Sequence, residues 1–227
     1  MRRFPSYLIA FAVAVATTTH AHAQAKPAAP PADTDVYHVM FVKAVPGQAA
    51  AEAAELLKQD PKDPLAGHLL LLRHQEGADW DYCLIQHLGP RATVTITPAG
   101  PTPTTPTTRA WHNDTFVSGP SWAEFSKAMI GAPASVYIAS VHRAVPGRRA
   151  QLLETLNRAS AVNKVPVAHL TLTHIEGGEW AFFSLDRYNS WPDLAADRTA
   201  NTGGAGWAET RQNSAYHVDT IADRVQK

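Results

Sequence analysis

Two histidines in this sequence are followed, two positions on, by an aspartate: His112 by Asp114 and His217 by Asp219. On an extended strand that spacing puts both side chains on one face. A carboxylate beside an imidazole fixes its tautomer and raises its basicity, which suits a general base or a ligand. The same pairs could instead lock two sheets together. A second set sits around a repeated turn: His74-Gln75-Glu76-Gly77 matches His174-Ile175-Glu176-Gly177, and Trp80 matches Trp180. His74 and His174 could serve as base, metal ligand or haem ligand, or could hydrogen-bond the turn that follows them. Glu76 and Glu176 precede a turn glycine and suit turn chemistry. Trp80 and Trp180 fit a packed core or a wall against a ligand.

Several chemistries lack their signatures. Downstream of residue 23 there is no His-x-x-x-His, His-Glu-x-x-His or Cys-x-x-Cys, so no metal set is expected. No Gly-x-Ser-x-Gly marks a nucleophile. Gly203-Gly204-Ala205-Gly206 follows no strand in the manner of a phosphate loop. Cys83 is the single cysteine. It sits in an apolar run and reads as a buried thiol without a disulfide. Asn113-Asp114-Thr115 is a formal glycosylation sequon inside a predicted strand.

The elements that position these residues come in two copies. Val36 to Ile85 aligns without a gap on residues 100 positions later, and Ala44-Val45-Pro46-Gly47 returns as Ala144-Val145-Pro146-Gly147. Such a period is a fold signature. Each copy reads as a strand (36–45, 136–145), a helix (48–59, 148–161), a strand (68–74, 168–174), a tight turn and a third strand (80–87, 180–185). A fourth strand recurs at an offset of 105, Ala110–Phe116 against Ala215–Ile221. Between strands three and four the copies diverge. Residues 191–210 can hold a helix interrupted at Gly203–Gly206. Pro98–Thr108 is almost all Pro, Thr and Gly and predicts a loop. Ser121–Ile130 predicts a connecting helix with Trp122, Phe125 and Met129 on one face.

The order strand, helix, strand, strand, helix or loop, strand is ferredoxin-like. With the repeat, the Val-Pro-Gly strand ends and the run Tyr216-His217-Val218-Asp219-Thr220, the chain resembles a tandem member of the dimeric α/β-barrel superfamily from about Val36 to Val225. The resemblance implies an α+β fold, two ferredoxin-like repeats closing one barrel within the chain, with antiparallel sheets and helices outside. The superfamily includes cofactor-free monooxygenases, isomerases, haem enzymes and stress-response proteins, so the fold alone does not select a function. Strand parity suggests that Tyr37, Val39 and Phe41 pack under the helices, and that His38, Met40, Val42 and His142 look into the barrel.

The N-terminus reads as a secretory signal over 1–23: Arg2-Arg3, an apolar core Leu8–Ala16, and Ala21-His22-Ala23. Residues 24–34 form an Ala/Pro-rich tether. Repeat 1 then spans 35–118, the connecting helix 119–134 and repeat 2 135–227. With 20 basic and 20 acidic residues and no basic stripe, nucleic-acid binding is disfavoured. The absence of a long apolar run disfavours membrane insertion. The expectation is a periplasmic or secreted protein that binds a small apolar or aromatic ligand in the barrel or inter-sheet cleft, without a cofactor. Homo-oligomerisation is compatible with this. The alternatives are a cofactor-free monooxygenase-like enzyme and a haem-binding protein. The candidate catalytic residues are His74, His174, His112, Asp114, His217 and Asp219. The candidate ligand-binding residues are Trp80, Trp180, His38 and His142, and any single site is expected in the second copy.

Overall fold

The computed structural model describes residues 34–58, 60–95, 107–162, 166–201 and 205–226. The expected signal, the tether and most of the Pro/Thr-rich segment lie outside them. The first half runs β1 (Asp35–Ala44), α1 (Ala49–Leu56), β2 (Leu69–Glu76), β3 (Tyr82–Pro90) and β4 (Arg109–Gly119). Helix α2 (Trp122–Met129) leads to the second half. That half runs β5 (Val136–Ala144), α3 (Arg149–Val162), β6 (Ala168–Glu176), β7 (Phe182–Tyr188), α4 (Trp191–Asn201), α5 (Ala205–Asn213) and β8 (Ser214–Arg224).

The strands close into an antiparallel barrel in the order β1-β3-β2-β8-β5-β7-β6-β4. Half a turn around this order carries β1 onto β5, β3 onto β7, β2 onto β6 and β4 onto β8. A pseudo-twofold axis therefore coincides with the barrel axis. Each barrel end presents matched residues from the two halves.

The barrel interior is one apolar cluster fed by all eight strands. It includes Tyr37, Val39, Leu72 and Ile85 from the first half, and Tyr137, Leu172, Phe183 and Leu185 from the second. This reverses the expected faces. Tyr37, Val39 and Phe41 point inward, while Met40 and Val42 pack outside with Leu56 of α1. The expectation failed because tyrosine's polar tip can still be satisfied inside. The Tyr37 hydroxyl donates to Pro120 O and the Tyr137 hydroxyl to Met129 O, each at 2.7 Å. The mixed face, with His38 and His142, is the outer one. On that side Leu152 and Leu156 of α3 cover Phe182, and Leu194 of α4 covers Ile138 and Tyr188.

The halves meet where each β2–β3 or β6–β7 turn crosses the other half's last strand. A Cβ on Gly77 would lie 2.5 Å from Asp219 O and 2.8 Å from Thr220 Cα. A Cβ on Gly177 would lie 2.5 Å from Asp114 O and 2.8 Å from Thr115 Cα. Both glycines have positive φ, 129° and 111°. Only glycine permits that backbone and that approach. The adjacent N–H groups of Ala78 and Gly178 donate to Thr220 Oγ1 (3.2 Å) and Thr115 Oγ1 (3.3 Å). The repeated Glu-Gly signal is thus the seam of the barrel.

The two barrel ends differ. Helix α2, with Phe125 and Met129 fully buried in the interior cluster, plugs the end where β1 begins and β4 finishes. It starts with a complete capping box between Ser121 and Glu124, which satisfies two of its free amides. The other end carries no such plug among the described residues.

Candidate functional site

The unplugged end opens into a cleft of about 670 Å³ on the pseudo-twofold axis, a size that suits a small organic ligand. Its walls come in matched pairs: Trp80 with Trp180, Phe41 with Val141, and Trp111 with Tyr216. The indoles sit just after the seam turns, which is why the repeat brings them together. Trp80 packs on Phe41 at 5.7 Å and Trp180 on Phe183 at 5.9 Å between ring centroids. Trp111 and Tyr216 stand at the rim, 40% and 49% exposed. Both halves build this cleft, where the sequence led us to expect a site in the second half alone.

Polar groups ring the mouth. Asp79, Glu179, Arg143 and Asn113 line it. The Arg143 guanidinium lies 5.5 Å from the Tyr216 ring centre and 3.4 Å from Glu179 Oε2. Lys43 pairs with Asp79 at 2.8 Å and with Asp81 at 3.1 Å. Asn113 faces Val218 across the axis, so one wall is polar where its partner is apolar.

The sequence-derived candidates fall into three groups. Trp80 and Trp180 line the cleft. His74 and His174 share the interior face but lie against those indoles, at 5.6 and 5.4 Å. Their Nε2 atoms are buried without a hydrogen-bond partner among the described residues. Burial, then the nearby Arg149 charge, lowers the His174 pKa and keeps that imidazole neutral.

The remaining candidates lie on the outer surface of the barrel. In the first half Asp114 is shared: His38 Nε2 is 2.7 Å from Oδ1 and His112 Nε2 is 3.1 Å from Oδ2. The His38 contact holds this carboxyl below its ordinary range. In the second half the corresponding residues part company. Asp219 accepts from Ser140 at 2.8 Å and from Arg198 at 3.1 Å. Burial pushes the Asp219 pKa up, but these partners prevail and hold it low. His217 sets its edge against Trp207 at 5.2 Å. His142 is buried, with Nε2 2.8 Å from Ser184 Oγ, and burial lowers its pKa to about 4.

Sequence reading missed one cluster. Asp35 Oδ2 lies 2.8 Å from His87 Nε2, and His87 Nδ1 lies 3.2 Å from His68 Nδ1. The corresponding positions 100 residues on are Ser135, Arg187 and Ala168. Asp35 and His87 lie one and two residues past the ends of the gapless alignment and His68 lies within it, so comparing the copies at these positions would have shown one Asp and two His found in the first copy only.

Among the described residues no group of three His, Cys, Asp or Glu could hold a metal. Among the described residues no histidine lines the cleft, so the residues there do not fit a haem held by an axial imidazole. Cys83 is fully buried and burial raises its pKa far above the ordinary thiol range, which removes it as a nucleophile.

The sequence matches no protein-family model and no curated protein. Among solved structures, an anthrone oxidase-like protein superposes with a TM-score of 0.58 at 15% identity, covering 87% of this chain and 94% of its own. A candidate monooxygenase from Fusobacterium nucleatum gives 0.53 at 8% identity, covering 85% and 93%. One from Lactobacillus acidophilus gives 0.51 at 9%, covering 85% and 100%. At such identities the likeness concerns the fold. These neighbours are dimeric α/β barrels, and this chain has that fold, built within one polypeptide from two ferredoxin-like halves.

Proposed function

We propose that this protein binds one small planar aromatic molecule in the cleft at the open end of the barrel. The observation that carries the reading is the pair of indoles, Trp80 and Trp180, facing one space from opposite halves. Flat rings stack on such walls with a gain of about 0.5–1.5 kcal/mol per pair beyond area burial. Arg143 and Asn113 at the mouth suit a polar or anionic substituent on the ligand. Titration with 1-anilinonaphthalene-8-sulfonate tests it. Saturable binding should weaken about tenfold, or ~1.4 kcal/mol, in Trp111→Ala and in Tyr216→Ala. Both residues are exposed enough for truncation to spare the fold. No binding, or binding indifferent to both changes, would sink the proposal.

A second reading is cofactor-free oxidation of such a ligand. Two observations favour it: the names of the structural neighbours, and the neutral imidazole of His174 against the cleft indole Trp180, bonded to the Glu176-Gly177 backbone with its Nε2 buried and unmatched among the described residues. That side chain would take a proton from the ligand once the indole shifts. Oxygen uptake on adding a reduced tricyclic phenol, lost in His174→Ala, would support it. Binding without uptake leaves the protein a binder.

A further inference from the structure

The opposite, plugged end carries a cluster that the cleft does not use. We propose that Asp35, His87 and His68 form a proton-operated latch that holds α2 across the closed end of the barrel. The chain of contacts is continuous. Asp35 Oδ2 accepts the backbone N–H of Trp122, the first residue of α2, at 3.0 Å. The same oxygen lies 2.8 Å from His87 Nε2, and the two Nδ1 atoms of His87 and His68 are 3.2 Å apart. The Trp122 indole lies parallel to both imidazoles, 4.8 Å from His68 at 16° and 5.7 Å from His87 at 20°.

Proton counting shows why this arrangement can switch. His87 Nε2 carries a proton toward the carboxylate. The facing Nδ1 atoms can then share one proton only. With both rings neutral, His68 Nδ1–H donates to the His87 Nδ1 lone pair. A first added proton goes to His68 Nε2 and leaves that bond intact. A second must go to His87 Nδ1, and N–H then faces N–H. The latch opens there, and the stack under Trp122 loses its base.

The surrounding charges do not remove the conflict. Asp63 faces His68 from the turn before β2 and favours its protonation, but burial, followed by His87, outweighs it and lowers the His68 pKa. Glu124 on α2 and Asp35 both act on Tyr37, whose ring sits 5.3 Å from His87. In an unfolded chain a histidine protonates near pH 6.5. With its pKa lowered, the folded His68 binds less proton than the unfolded one below that pH, and the hold of the cluster on α2 weakens as pH falls.

The second half holds the far end of α2 with groups that do not titrate in this range. Arg187 Nε donates to Ala128 O and the Tyr137 hydroxyl to Met129 O, each at 2.7 Å. Only the first-half grip is pH-sensitive, so acid should free the N-terminal turn of α2 first.

Hydrogen exchange of the full chain, corrected for intrinsic rates, tests this. Between pH 7.5 and 5.0 the α2 amides should lose about tenfold protection relative to those of α3. The loss should shrink to about twofold at most in His68→Phe, which keeps the ring stack and removes the second titrating group. Imidazole nitrogen NMR of the unmodified protein gives an independent check, which should show two protonations separated by more than about one pH unit. An α2/α3 ratio that is flat with pH, an undiminished loss in His68→Phe, or two coincident protonations near pH 6.5 would each overturn the latch.

Discussion

Replacing Gly77 by alanine probes the seam that makes two sheets one barrel. Two costs add. The first is backbone: φ at Gly77 is 129°, a region that costs a side-chain-bearing residue about 1–3 kcal/mol. The second is contact: the new Cβ would stand 2.5 Å from Asp219 O and 2.8 Å from Thr220 Cα. Both are backbone atoms of the other half, so no rotamer change relieves them. The turn must retreat, and the 3.2 Å bond from Ala78 N–H to Thr220 Oγ1 goes with it, worth about 1 kcal/mol. With overpacking typically costing about 1–3 kcal/mol, the total is roughly 3–7 kcal/mol. Gly47→Ala is the internal control. Its φ is 81°, with nothing within 4 Å of the added carbon, so only the left-handed strain of about 1–2 kcal/mol applies. Urea unfolding of the two variants should differ by ~2–5 kcal/mol, with Gly177→Ala matching Gly77→Ala. Midpoints for Gly47→Ala and Gly77→Ala within ~0.5 kcal/mol of each other would refute the close approach of the halves.

Two further predictions concern other parts of the chain. Burial lowers the His142 pKa to about 4, while an unfolded histidine titrates near 6.5. Stability linked to this residue is therefore full above pH ~6.5 and falls as pH drops toward 4, by about 3 kcal/mol. The stability advantage of the native chain over His142→Phe, measured by urea unfolding, should shrink by that order between pH 7 and pH 4; an unchanged difference contradicts a neutral buried His142. We also propose that the chain is exported. N-terminal sequencing of the protein secreted by its native host should begin at Gln24, and a retained Met1 would contradict this.

Much of the fold was legible because its signals are local. The Pro-Gly strand ends, the alternating strands and the offset of 100 predicted the order of elements, and α2 falls within its expected span. The faces of β1 were not legible, because alternation gives two faces without saying which is inside. Tyr37 and Tyr137 looked like an outer packing layer, yet their hydroxyls find carbonyls on the α2 side of the barrel. His38 reads as an interior residue by strand parity, yet it meets His112 and Asp114 on the outer surface. The cleft depended on which turn crosses which strand. Trp80 and Trp180 could be suspected, but Arg143 and Asn113 joined them only through the closed register of the barrel. Asp35, His68 and His87 come from three separate strand ends, and no spacing in the sequence brings them together.

The claim that both halves build one ligand site has a direct measurement in binding stoichiometry. Calorimetric titration with the same naphthalene sulfonate should give one molecule per chain, with the affinity reduced by Trp111→Ala from the first half and by Tyr216→Ala from the second. Two equivalent molecules per chain, or sensitivity to one half only, would contradict a shared cleft on the pseudo-twofold axis.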